Sequence, residues 1–329
     1  MLDRLWRAVR GRLGLAEPEA PREAGARVRE VPAPVRPRVL MITHNPPVAS
    51  ARGRRLTEIF GWHDPERLAR EFIADVREVS GGYLDYEIGE RITADWYPVK
   101  RDGFRYTSES FIAAWRAQRL HEPNEIDYQA QLAAFDLVGR YNRGEMDEVW
   151  FFTFPYAGDY ESTMVGRGAF WLNSPPVPHP EAHGRFVMMG FNYERDVGCM
   201  LESFGHRVES TMSRVYERLG RGRNMWALFT LYDRAAPGRS QCGNVHWAPN
   251  SERDYDWGNP RPVRCYCDDW YSYPDLPGRA RIVTAAEWGG GDMRAHHKWW
   301  LRHLPRAGGE TDGVSNNWWR YVADPNAVP

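Results

Sequence analysis

Apolar and polar residues follow two periods along the chain, and the switches between them mark out the elements. Arg38–Thr43 (RVLMIT) is a nearly continuous apolar run ending in His44-Asn45-Pro46-Pro47, the pattern of a strand buried on both faces and followed by a turn. Glu148-Val149-Trp150-Phe151-Phe152-Thr153-Phe154 and Arg185–Phe191 (RFVMMGF) repeat it, and Tyr83–Ile92 alternates enough to predict a further strand. Between these runs the spacing turns helical. Asp64 and Pro65 supply a cap and a first-turn proline ahead of Leu68, Phe72, Ile73 and Val76. Ser108 is the expected cap of a helix bearing Phe111, Ile112, Trp115 and Leu120. One helix is expected from about Tyr128 to Tyr141, and a long one from about Val197 to Leu219.

Strands that are apolar along their whole length need cover on both faces, and the intervening amphipathic helices supply it. The expected fold class is therefore α/β: an open, largely parallel sheet with helices on both faces, formed by residues 38–235. From Ala236 to Gly291 the periodicity gives way to Gly, Pro, Asn, Asp and aromatics. Loops this long inside a compact unit are usually functional. Helix resumes over Asp292–Leu304, and the loop-rich portion 236–329 is expected to be integral to a single domain spanning 38–329. Residues 15–37 carry five prolines among Glu, Ala and Arg and predict a flexible linker. Residues 1–14 set Leu2, Leu5, Trp6, Val9 and Leu13 at helical spacing against Arg4, Arg7, Arg10 and Arg12. That is a basic amphipathic helix, suited to peripheral contact with an anionic membrane surface or to a partner groove. It lacks the apolar stretch of a secretory signal, so the cytoplasm or the membrane surface is the expected location. No apolar run approaches the ~20 residues of a transmembrane span.

Composition narrows the function. Lys+Arg number 43 against 44 Asp+Glu, a balance that excludes a general nucleic-acid binder. All but Lys100 and Lys298 of the basic residues are arginine, most of them expected in surface ion pairs. Nine of the fifteen tryptophans fall from Trp226 onward, which points to a binding surface in the loop-rich portion beside rings serving as core. Four cysteines are too few for a disulfide scaffold. Cys199 reads as a buried thiol, and Cys242 has Cys265 or Cys267 as a disulfide partner if the protein is exported. The C-x-C pair has no second close pair to complete a zinc ribbon.

Ligands of open parallel sheets bind beyond the carboxyl ends of the strands. His44-Asn45, Pro155–Ser162 and Asn192–Asp196 occupy those places. Glu161 and Glu194 are the candidates for general acid, general base or metal ligand, unless each simply pairs with an arginine such as Arg167 or Arg195. Tyr156, Tyr193, Arg195, Trp247 and Trp288 are candidate substrate contacts. On the long helix, Glu202, His206 and Glu209 stand four and three residues apart and share a face. A carboxylate and an imidazole one turn apart can grip one divalent metal such as zinc, with His246 or His297 completing the set. The zincin motif H-E-x-x-H is absent, and the plainer reading of His206 is a histidine hydrogen-bonded to a neighbouring glutamate. Gly289-Gly290-Gly291 ahead of a helix offers an anion site but lacks the G-x-G-x-x-G pattern and a Walker lysine. No G-x-S-x-G elbow exists for a serine nucleophile.

The resulting expectation is a hydrolase acting on a carbohydrate or peptide-like substrate, by carboxylate acid–base chemistry with or without a metal. The alternative is a non-catalytic carbohydrate- or partner-binding protein. The blocks Gly190–Gly198 (GFNYERDVG), His246–Ser251 (HWAPNS), His296–Trp300 (HHKWW) and Asn316–Trp319 (NNWW) resemble those of an uncharacterised group of bacterial proteins. Members of that group are often exported and have no established activity, so the resemblance implies only one integral unit over 38–326. This chain departs from the exported pattern at its start, where an arginine-rich helix stands in place of a signal.

Overall fold

The computed structural model describes residues 32–220 and 222–329, so the amphipathic helix expected over 1–14 and most of the 15–37 linker lie outside the described residues. At its centre is a five-stranded sheet of β1 (Arg38–His44), β4 (Glu87–Ala94), β5 (Glu148–Thr153), β6 (Ser162–Gly166) and β7 (Arg185–Asn192). Short antiparallel β2 (Pro47–Val48) and β3 (Arg54–Arg55) form a separate ribbon. The sheet order is β4-β1-β5-β7-β6, with the first four strands parallel and β6 antiparallel at the edge. This is the largely parallel α/β sheet that the apolar runs predict.

Period-two alternation splits each central strand between two cores. Val39, Met41, Trp150, Phe152, Val187, Met189 and Phe191 face one, and Leu40, Ile42, Val149, Phe151, Phe186 and Met188 the other. The first face takes the helices Pro65–Val79 and Val197–Tyr216 and the C-terminal aromatics. The second takes Leu132, Phe135 and Leu137. Asp64 caps the 65–79 helix through both carboxylate oxygens, as expected. Thr107 rather than Ser108 caps the helix Ser108–Ala117, because its hydroxyl reaches the Ser110 amide (3.2 Å). The helix expected over 128–141 breaks into Tyr128–Ala134 and Leu137–Asn142, with Asp136 left-handed at φ 49° between them. Strand β6 has no apolar signature, since Ser162 and Thr163 are buried. Their hydroxyls are satisfied by the Leu172 carbonyl and the Ser174 hydroxyl (both 2.9 Å).

The loop-rich portion holds two small antiparallel pairs, Val263–Cys265 with Arg281–Val283 and Arg306–Thr311 with Val314–Asn317. Its helix Met293–Arg302 packs on the 197–216 helix. Tryptophan does the work of a core where regular structure is scarce: from Trp226 onward every ring except Trp247 is buried. The tryptophan excess expected to form a binding surface there is thus taken up mostly by the core, while Tyr255 and Tyr271 stay exposed. Among the described residues no helix is long and apolar enough to cross a membrane.

One buried ion pair ties these parts together. Arg207, on the 197–216 helix, donates to Glu148 Oε1 (2.6 Å) at the start of β5 and to the Val322 carbonyl (2.8 Å) near the C-terminus. Tyr86 and the Trp150 indole also donate to Glu148 (3.2 and 2.8 Å). Removing one partner of such a pair strands the other charge, at a cost of about 3–5 kcal/mol. Arg207→Met is accordingly expected to lower the unfolding free energy by that order in urea titrations, and Arg207→Met/Glu148→Gln by less. A second expectation concerns acid. Burial holds His297 and His303 down to about 4, and lowers His296 well below the ordinary value of 6.5 as well. Neutral imidazoles in the fold must take up protons on unfolding. Their stabilisation is therefore complete above pH 6.5 and is lost as the pH falls toward 4, by roughly 3 kcal/mol for each of His297 and His303. Thermal melts across this window should show a steep loss that His303→Gln makes shallower.

Candidate functional site

A cavity of about 200 Å³ opens at the carboxyl ends of β5 and β7, lined by Thr153, Phe154 and Asn192. The antiparallel entry of β6 brings Glu161 to the same end of the sheet. The first turns of the 197–216 helix close one side with Glu202 and Ser203, and Tyr156 and Arg195 lie on the walls. Lys100 holds the floor. Its buried ammonium reaches the carbonyls of Asn124 and Ala157 (both 2.7 Å), that of Tyr156, and Asn124 Oδ1 (2.9 Å). Burial draws its pKa down to about 8 against the pull of Asp159. Asp159, enclosed beside it, has its carboxyl pKa raised by burial, with His44 and Thr153 opposing.

Next to this cavity three donors converge. One oxygen or nitrogen from each of Glu202, His206 and His246 lies within 4.8 Å of the other two. The Nε2 atoms of His206 and His246 are 3.2 Å apart, and Glu202 Oε1 is 3.4 Å from His246 Nε2. Donors about 2.0–2.1 Å from a tetrahedral zinc stand about 3.3 Å from one another, so both separations fit one ion.

The far side of each imidazole is held by a carboxylate. His206 Nδ1 donates to Glu209 Oε2 (2.9 Å), and His246 Nδ1 lies 3.1 Å from Asp254 Oδ1. A carboxylate only accepts, so each pairing puts a ring proton on Nδ1 and turns Nε2 toward the other donors, the nitrogen that could ligate an ion. Burial works against the charged form of His206, but the Glu209 hydrogen bond and the charges of Glu209, Glu161 and Glu202 together outweigh it and raise its pKa. Burial likewise raises that of Glu161, with His206 opposing and Glu202 reinforcing. Asn173 donates to Glu161 Oε2 and fixes that oxygen.

Backbone detail brings the His246 loop against the helix. A Cβ at Gly205 would meet Val245 Cγ2 at 2.6 Å, so only glycine allows this approach. Val245 N donates to Glu209 Oε1 (3.1 Å), the Trp300 indole to the Gly243 carbonyl (3.0 Å), and His297 Nε2 to the Val245 carbonyl (3.3 Å). Asn244 Oδ1 accepts from the amides of His246 and Trp247.

The sequence-predicted residues thus divide. Glu202, His206 and His246 come together as a donor set that could hold one ion, with Glu161, Tyr156 and Arg195 on the adjoining cavity. Glu209 is not a ligand but the buttress of His206, since both its oxygens are committed. His297 is buried and spends its Nε2 on the loop. Glu194 is half-buried and does not line the cavity. Tyr193 and Trp288 are core rings, bonded to the carbonyls of His44 (3.0 Å) and Trp257 (2.8 Å), so neither is open to substrate. Trp247 stacks on Tyr232 away from the cavity. Asp254 and Tyr255 lie against His246 and were missed: they fall in the aperiodic stretch Ala236–Gly291, but nothing in its composition singled out these two.

Three further expectations are corrected. Cys242, Cys265 and Cys267 are free buried thiols with no disulfide among them, and Cys199 is half-buried. At the triple-glycine turn Asp292 itself caps the helix through the Ala295 amide (2.7 Å), placing a carboxylate where an anion would sit. A second convergence of Cys267, Asp268 and His303 exists. There Arg281 already pairs with Asp268 (2.5 Å) and stands 3.9 Å from Cys267 Sγ, so positive charge is supplied by the protein.

No family model matches the chain, and no curated protein or solved structure is significantly similar to it.

Partners behind metal-ligating histidines typically contribute 10–100-fold in affinity. Glu209→Gln and Asp254→Asn are each expected to weaken zinc binding by about that factor in calorimetric titrations, while His206→Ala abolishes it.

Proposed function

We propose that the chain is a hydrolase that binds a divalent cation such as zinc through Glu202, His206 and His246 and acts on a carbohydrate or peptide-like substrate. The observation that carries this reading is the convergence of two carboxylate-backed imidazoles and a glutamate at separations of 3.2 and 3.4 Å, beside a cavity walled by polar groups. A cation there would polarise the bond to be cleaved and lower the pKa of water. The protein's own groups do the rest. Glu161, its pKa raised by burial and its Oε2 held by Asn173, is the group that would take up a proton from the attacking water and pass it to the leaving group. Arg195, exposed on the cavity rim, is placed to receive a substrate oxygen. The volume of about 200 Å³ suits a single sugar ring or side chain rather than a whole polymer.

The second reading, binding of carbohydrate without turnover, draws support from a different feature. Trp171 is 59% exposed and lines a groove with Phe170 that extends to Glu209, the buttress of His206. An exposed indole is a stacking platform for the C–H face of a sugar.

The two separate by assay of the zinc-loaded protein on chromogenic glycosides, acyl esters and peptides. Hydrolysis of one class, reduced about 100-fold or more by Glu161→Gln with zinc content unchanged, is the expected outcome. Saturable sugar binding without turnover would transfer support to the second reading.

A further inference from the structure

The triangle of Glu202, His206 and His246 has a fourth polar atom over it. The Tyr255 hydroxyl is 2.8 Å from His246 Nε2, the same nitrogen that faces His206 and Glu202, and it also hydrogen-bonds Glu202. Its ring lies against the His246 ring with centroids 4.1 Å apart and meets Trp257 edge-on at 5.3 Å.

Proton counting makes this arrangement unusual. With the Nδ1 atoms of both rings directed at Glu209 and Asp254, the two Nε2 atoms face each other and a carboxylate oxygen at 3.2 and 3.4 Å. A proton shared between the rings satisfies the two nitrogens, whereas a cation satisfies both nitrogens, the carboxylate oxygen and the phenol oxygen together. The backbone is adapted to the same end. Tyr255 is left-handed at φ 56°, a conformation that a bulky side chain rarely adopts. Such outliers gather at functional sites. Here the turn brings Asp254 to one side of the His246 ring and Tyr255 to the other, and the Tyr255 amide donates to the His246 carbonyl (3.2 Å). The tyrosine is also 49% exposed, so the ring has solvent on its outer face and room to swing away.

We propose that Tyr255 is the fourth protein ligand of the cation site, bound through its phenol oxygen in the resting enzyme and displaced by the substrate oxygen that takes its place. Coordination releases the phenol proton to solvent, and displacement returns one. Once displaced, the hydroxyl stays within reach of the substrate oxygen and donates a hydrogen bond to it. This inference rests on the cation-dependent reading above, and the experiment keeps the two separable.

The full chain is titrated with Cu²⁺ and followed by metal content and visible absorption. One tightly bound Cu²⁺ per chain with a phenolate-to-copper charge-transfer band is expected. Tyr255→Phe should remove the band, leave the stoichiometry at one and leave thermal stability intact. His206→Ala should remove the bound metal. A wild-type protein that binds one Cu²⁺ without the band, or a band that survives in Tyr255→Phe, overturns the tyrosine ligand and leaves the cation site standing. Absence of tight binding of both Cu²⁺ and Zn²⁺ by the wild type, or unchanged binding in His206→Ala, overturns the cation site itself and the tyrosine ligand with it.

Discussion

Arg207 and Glu148 fix the rotation of the 197–216 helix, and the site is a consequence of that setting. The pair is buried at side-chain exposures of 1% and 4%, with the Tyr86 hydroxyl, the Trp150 indole and the Val322 carbonyl taking up the remaining hydrogen-bonding capacity. Successive helix residues point about 100° apart, so locking Arg207 toward the sheet turns His206 outward. Glu202 and Glu209 follow it on the same stripe. A buried ion pair of this kind adds little net stability over a packed apolar pair, and its value lies in specifying one orientation.

The second half of the site is built from chain that has almost no regular structure. Its precision comes from point attachments: the Trp300 indole, His297 and Glu209 each hold one backbone group of residues 243–245, and Gly205 lets Val245 settle against the helix. The same glutamate oxygen pair that anchors the loop also orients His206. One side chain thereby registers both histidines, coupling the regular sheet-and-helix layer to the aromatic portion.

The sheet was legible because its central strands are apolar on both faces, and the long helix because its stripe is. The edge strand β6 was not, since a Ser-Thr pair closes its hydroxyls on Leu172 and Ser174, a solution visible only in three dimensions. Spacing alone grouped Glu202, His206 and Glu209, yet it could not tell a ligand from a buttress, because that depends on which way the carboxylate turns. His246 was legible as a donor only in kind. Its partners Asp254 and Tyr255 depend on a left-handed turn that a tyrosine does not announce. Tryptophan misled in the other direction: its excess reads as a surface, but in a loop-rich unit short of aliphatic residues the rings are the core.

In the proposed site one cation is held by two imidazoles and oxygen donors at the end of the sheet, and not by the thiols of the Cys265-x-Cys267 region. X-ray absorption of the full chain loaded with one equivalent of zinc tests it most directly. The account predicts a four-coordinate shell of nitrogen and oxygen, with the multiple-scattering signature of two imidazoles and no sulfur. A shell containing sulfur, or one with no imidazole contribution, would contradict it.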